Sequence, residues 1–277
     1  MVVYAGQGDP RRTMALLWRT HDQSDQGQER TAPGPKSELT VDVVVRTAID
    51  IADAQGLQAL SMRAVGERLG RTAMSLYTYV ASKNELVELM YDHAYASIAT
   101  EASPADLAAQ AGAEPGDWRA ATTAWATRLW RTYLDHPWLL AVSHARPVLG
   151  PNEYALFESL AAVLRGAGLS AKETSAAHGS LYYLVRGVAS TAAEARGSAQ
   201  ATGVPEDDWW YERSAELERV SPDFGERFPT LTAMATEGAF NNDNESEPYL
   251  EQEAWETLQF GLTALLEGIA ARLPSKA

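Results

Sequence analysis

Apolar positions become periodic after Thr40. Val41, Val44, Val45, Ala48, Ile49 and Ala52 recur at three- and four-residue steps, the repeat of one helix face. Thr40 suits the N-cap of this helix and Gly56 its left-handed end. A second, shorter pattern follows: Ser61 as cap, then Met62, Val65 and Leu69 inward, closed at Gly70. A third is shorter still, with Thr72 as cap and only Leu76 and Val80 inward. Ser82 and Glu85 have capping-box spacing and open a longer helix carrying Leu86, Leu89 and Met90. Three short helices and the start of a fourth thus fall within about sixty residues, with a very tight turn at Gly70. That is the spacing of a helix-turn-helix, whose second helix enters a DNA major groove.

The rest of the pattern is also helical. Asp117 to Asp135 reads as a helix ending before Pro137, Glu153 to Arg165 as another, and Ser170 with Glu173 as a capping box for a long helix to about Ala199. A short helix reaches Arg219, and a last one runs from Tyr249 to Leu273. Residues 101–116 read as a linker and 237–249 as an acidic, solvated loop. Residues 1–36 show no sustained periodicity, so a disordered arm is expected there, and Met1 and Met14 both stand as candidate starts. The predicted fold is all-α: a helix-turn-helix domain over 37–97, then a helical ligand-binding and dimerisation domain over 98–277.

Charge sharpens this picture. The chain of 277 residues has formal net charge −14. From residue 201 onward sixteen acidic residues face five basic ones, so most of the acidity lies there. Between Ser61 and Lys83 the balance reverses: Arg63, Arg68, Arg71 and Lys83 stand against Glu67 alone. A local basic surface suffices for phosphate contacts on an otherwise acidic molecule. The outward residues of the short third helix, Ala73, Met74, Ser75, Tyr77, Thr78 and Tyr79, then face bases and phosphates, and Lys83 grips the backbone from the next helix. With no cysteine, a disulfide framework or thiolate site is excluded. No 18-residue apolar run spans a membrane, and a cytoplasmic protein without a membrane partner is expected.

The stretch "ALSMRAVGERLGRTAMSLYTYVASKNELVELM" resembles the DNA-binding domain of the tetracycline-repressor (TetR) family. The resemblance rests on the capped second helix, the Leu69-Gly70 turn, the Leu76-Tyr77 pair and Ser82-Lys83 before Glu85-Leu86. From "YLDHPWLL" through "YALFESLAAVLRGAGLS" the chain also resembles the ligand domain of the tetracycline repressor's own branch. The resemblance implies a homodimeric repressor that binds double-stranded operator DNA and is released by a small-molecule effector. It puts Arg63, Ala73, Met74, Ser75 and Tyr77 at groove-facing positions, and Thr72, Tyr77, Tyr79 and Lys83 at backbone-gripping ones. Ser61 and Arg71 complete the candidate DNA-binding set. Arg71 departs from the small apolar residue usual after that glycine, so it either reaches a phosphate or loosens the turn. A second departure is Pro147-Val148-Leu149-Gly150, which lacks the histidine that holds drug-bound magnesium. That argues against a tetracycline–magnesium effector, and neither a cofactor nor a metal site is expected.

Seven of the eight tryptophans follow residue 117. Trp130, Tyr133, Trp138, Leu149, Tyr154, Phe157, Leu160, Tyr182, Tyr183 and Arg186 are the candidate lining of an apolar effector cavity with a few polar tips. For the dimer, small residues from Ala176 to Ala193 and the stripe Ala254, Leu258, Gly261, Leu262, Leu265 and Ile269 suggest two helices per subunit in a four-helix bundle. Two alternatives stay open. One is a DNA-binding activator without a ligand. The other is a hydrolase built on Ser180 and His178, although both fall in one helix and no phosphate loop, dinucleotide fingerprint or zinc motif accompanies them.

Overall fold

The computed structural model describes residues 3–19, 39–100, 102–241 and 248–274. The fold is all-α; the one pairing of extended backbone among these residues is a parallel bridge between Val3 and Val142. Two compact units divide the chain, residues 1–186 with 264–277, and residues 187–263.

In the first unit, helix α1 spans Pro10–Leu17, α2 Val41–Gln55, α3 Met62–Arg68, α4 Ala73–Leu76 and α5 Lys83–Ala94. The expected caps are in place. Thr40 accepts from the Val43 amide, Ser61 from Ala64, Thr72 from Ser75 and Ser82 from Glu85. Each satisfies one of the amide groups a helix leaves without an internal partner. The Ser82–Glu85 capping box is a correction. The Glu85 carboxylate bypasses Ser82 and accepts from the Ala81 amide, because Arg12 and Thr13 draw it the same way.

The chain continues through α6 (Ala96–Ala99), α7 (Pro104–Gln110), α8 (Trp118–Asp135), a 3-10 turn at Pro137–Ala141, α9 (Pro151–Ala167) and α10 (Ala171–Thr202). Helix α7 overturns the linker expected over 101–116. Ser103 and Asp106 form a reciprocal capping box, and Leu107 and Ala108 are buried. The second unit contains α11 (Glu206–Val220), α12 (Phe224–Arg227), α13 (Pro229–Thr236) and most of α14 (Tyr249–Ala270). Of the expected acidic loop 237–249, positions 242–247 lie outside the described residues.

The disordered arm is corrected over residues 3–19. Asp9 caps α1 by accepting from the Arg11 amide, Pro10 sits at the first helical position, and Ala5, Thr13 and Leu17 are buried. Hydrophobic periodicity missed this segment because polar groups hold it. The Gly6 amide donates to Glu88 at 2.9 Å, and Arg12 pairs with Glu85 at 3.3 Å. Positions 20–36 of the expected arm lie outside the described residues.

Candidate DNA-facing surface and effector cavity

The turn between α3 and α4 is tight because Gly66 carries no side chain. A Cβ there would lie 2.8 Å from the Arg71 carbonyl oxygen. The Arg71 amide closes the turn on the Gly66 carbonyl at 2.8 Å. The turn is therefore not loosened by Arg71, whose side chain is exposed. Leu76 and Val80 are fully buried and pin α4 to the bundle. The opposite face is open, with Met74 76% and Tyr77 43% exposed. Ala73, Ser75 and Tyr79 are half-buried, and Thr72 is exposed. The Ser75 hydroxyl donates to the Thr72 carbonyl at 2.7 Å, leaving its oxygen outward as an acceptor. Arg63 pairs with Glu67 at 2.7 Å, and Lys83 Nζ rests 3.4 Å from the Leu57 carbonyl. Ser61 is spent as the α3 cap. Of the remaining candidates, Arg63, Arg71, Thr72, Met74, Tyr77 and Lys83 are exposed, and Ala73, Ser75 and Tyr79 are half-buried.

Helix α5 leads from this face to a cavity of about 530 Å³. It contributes Tyr91 and Tyr95; the loop before α9 gives His144, Pro147 and Leu149; α9 gives Glu153, Tyr154, Leu156 and Phe157; α10 gives Ser175, His178, Gly179, Tyr182 and Tyr183. Half of the sequence-based candidates line it: Leu149, Tyr154, Phe157, Tyr182 and Tyr183. The other five do not, and each has a physical reason. Trp130 and Leu160 are buried in the core behind the wall. The Trp138 indole donates to Asp53 at 2.7 Å, which turns the ring toward α2. Arg186 donates to the carbonyls of Leu140 and Val142 at 2.7 and 3.0 Å, bracing the 3-10 turn. Tyr133 stands behind Tyr182 and holds it through a hydroxyl–hydroxyl bond of 3.0 Å.

Aromatic rings set the cavity's chemistry. His144 stacks on Tyr182 with ring centres 4.5 Å apart, and Phe157 lies 3.9 Å from the His178 ring. Burial, with His144 nearby, lowers the His178 pKa to about 4. Burial also lowers His144, with Arg186 adding to the effect. Both rings are therefore neutral at pH 7. Glu153 is the one carboxylate on the wall. Burial raises its pKa, although the Leu149, Val148 and Gly150 amides offset part of the rise. Neither lysine nor arginine lines the cavity. Tyr91, Tyr95, His144 and His178 line the cavity although none was among the expected lining residues. Two tyrosines four residues apart, on the helix leaving the DNA-facing bundle, were the available signal.

The hydrolase alternative does not survive this geometry. The Ser180 hydroxyl is exposed and donates to the Ala176 carbonyl at 2.9 Å, while His178 is buried among rings. Among the described residues no group of three His, Asp or Glu could hold a metal ion, and no helix is long and apolar enough to cross a membrane.

Residues 111–273 match the tetracycline-repressor-like C-terminal domain family. The chain is 35% identical over 265 residues to the HTH-type transcriptional repressor DrrR1 of Streptomyces coeruleorubidus, covering 96% of this chain and 87% of that protein. It is 34% identical over 150 residues to an HTH-type transcriptional regulator of Saccharopolyspora erythraea, covering 54% of this chain and 58% of the relative. Among solved structures it is similar to the Streptomyces coelicolor TetR family protein ActR in complex with actinorhodin. That likeness has a TM-score of 0.63 and 25% identity, over 87% of this chain and all of that one.

Proposed function

The chain belongs to the tetracycline-repressor family of transcriptional regulators, and on that premise we propose that it is a homodimeric repressor released from operator DNA by a small aromatic effector. The observation that carries this reading is the double use of α5. It starts at Lys83, in the segment that follows the short α4, and its last turn and C-cap hold Tyr91 and Tyr95 on the cavity wall. A ligand that fits the cavity better in one tilt of α5 shifts the population toward that tilt. It weakens DNA binding only by the difference in its affinity for the two states.

By role, residues 37–97 form the DNA-binding domain and 98–277 the effector and dimerisation domain. A flat, mostly apolar ligand that is neutral or carries one positive charge suits a wall of rings with a single carboxylate. An anion would find no cation to meet it. For the dimer, α11, α12 and α13 bury no residue within the single chain, while Trp209, Trp210, Leu231 and Met234 on them are exposed. Phe260 on α14 is 80% exposed. Such surface is consistent with a partner subunit. The stripe first considered for the interface is largely spent, since Ala254, Leu258, Leu262 and Ile269 are already buried within one chain.

Selection of DNA by the purified protein from a random pool tests the reading. Two half-sites about 34–36 Å apart are expected. Lys83→Ala should weaken all sequences alike and lower the salt slope by about one phosphate's worth. Met74→Asn should change the base preferred at one position of each half-site, by roughly 1–3 kcal/mol of discrimination, at an unchanged salt slope. No enriched site, or a new preference from Lys83→Ala with none from Met74→Asn, would overturn the assignment.

A further inference from the structure

We propose that residues 3–19 form a strap that couples the rim of the cavity to the DNA-presenting helices, with Trp18 as the positioning residue at the rim. The segment touches both places. At the rim, the Trp18 indole donates to the Leu149 carbonyl at 3.0 Å, and its ring lies 6.1 Å from that of Tyr154. Leu149 and Tyr154 both line the cavity. Val3 adds two backbone bonds to the same loop, from its amide to the Ala141 carbonyl and from the Ser143 amide to its own carbonyl. At the other end, Gly6 and Gln7 bind Glu88 and Asn84 of α5. Arg12 pairs with Glu85 and lies 3.4 Å from the Tyr79 carbonyl, directly after the DNA-facing helix.

Leu149 explains why the rim needs this support. It is the one non-glycine residue with positive φ, 62°, among the described residues. A left-handed leucine persists only where its surroundings hold it. Two groups do so: Trp18 grips its carbonyl, and the Glu153 carboxylate accepts its amide at 2.6 Å. Trp18 therefore sets the position of a wall residue without touching a ligand. Because α1 is continuous with that contact, a shift of the rim pulls on Arg12, and through it on α5 and the end of α4.

Hydrogen exchange on the full-length protein tests the strap without any ligand. Trp18→Ala should speed exchange about fivefold at residues 142–149 and, across the strap, at 85–89, which Trp18 does not touch, with residues 121–133 unchanged. Arg12→Ala should produce the same two-ended pattern from the opposite end. A change confined to each variant's own end overturns the proposal. If Trp18→Ala loosens the whole protein, Trp18→Phe decides. It removes the indole N–H and trims the ring while keeping an aromatic side chain, and it should give the two-ended pattern at lower amplitude; a rise at the rim alone again overturns the strap. A DNA arm rests on the proposed function. The selected operator duplex should slow exchange at 142–149 in the native protein but not in Trp18→Ala, whose operator affinity should stay within about threefold. Rim exchange equally slowed in both proteins would overturn the coupling. Absence of any operator would defeat the repressor reading and leave the ligand-free test to stand alone.

Discussion

Two regions of the molecule rely on tyrosine, and they use it in opposite ways. On the DNA-facing surface Tyr77 is exposed and Tyr79 half-buried. At the cavity, Tyr91, Tyr95 and Tyr182 line the wall, Tyr133 backs it, and all four are buried. Their hydroxyls bind one another: Tyr95 to Tyr91 at 3.3 Å, Tyr95 to Tyr133 at 3.4 Å and Tyr133 to Tyr182 at 3.0 Å. Burial, with neighbouring tyrosines adding to it, raises the pKa of Tyr91, Tyr95 and Tyr133, so these three hydroxyls stay protonated. Under the proposed function, the first pair keeps its polarity for DNA. The second set spends its polarity on fixing the shape of a wall. The surface should therefore tolerate change in stability terms and fail in binding, while the cavity should do the reverse.

The largest effect is expected where the cavity meets α5. A Cβ at Gly150 would lie 2.1 Å from Asp92 Oδ1. That carboxylate accepts from the Asn152 and Glu153 amides, each at 2.9 Å, at the start of α9. Gly150→Ala should therefore cost about 3 kcal/mol, combining overpacking with lost hydrogen bonds, and lower the melting temperature accordingly. A change below about 1 kcal/mol would mean that this junction yields as readily as the DNA-facing surface.

The next effect depends on pH. His178 has a folded pKa of about 4 against an ordinary 6.5. Between those values the unfolded chain binds the proton and the folded chain does not, so stability falls as pH drops through that window. The loss should reach about 2–3 kcal/mol by the lower end. Glu88, Asp92 and Glu153, all raised by burial, act in the opposite direction. His178→Phe retains those carboxylates, so denaturant melts of the two proteins across this window isolate the histidine. Parallel pH profiles would show that the ring is wetter than its packing indicates.

The smallest effect is the most direct comparison. Tyr133→Phe removes the middle hydroxyl of the chain and should cost about 1–2 kcal/mol of stability. Tyr77→Phe should change stability by less than about 0.5 kcal/mol. In operator binding the order should reverse, with Tyr77→Phe the more damaging. Equal stability losses would erase the distinction between the two regions.

The same contrast explains what could be read from the sequence. Thr40, Ser61, Thr72 and Ser82 each cap a helix through an amide three residues on, so local spacing revealed them. Leu76 and Val80 followed from periodicity. The cavity depends on partners far apart in the chain. Trp138 looked like a lining residue until Asp53, 85 positions earlier, took its indole N–H. Tyr91 and Tyr95 were hidden in a helix already assigned to DNA presentation. The strap escaped because its hold is made by an amide, a guanidinium and an indole N–H, none of which produces an apolar stripe.

Glu85, Glu88 and Asp92 lie on one face of α5, and all three are buried. Each accepts from a backbone amide elsewhere: Ala81, Gly6, and Asn152 with Glu153. A carboxylate that grips a main-chain N–H asks little of the side chain at the gripped position, although Gly6 takes a positive φ and Asn152 adds a side-chain bond of its own to Asp92. Over evolutionary time this uncouples the two partners, because the gripped segment can drift in sequence while the attachment persists. Only proline, which has no N–H to offer, is barred outright from those positions. Architecture can in this way outlast the resemblance between sequences that share it.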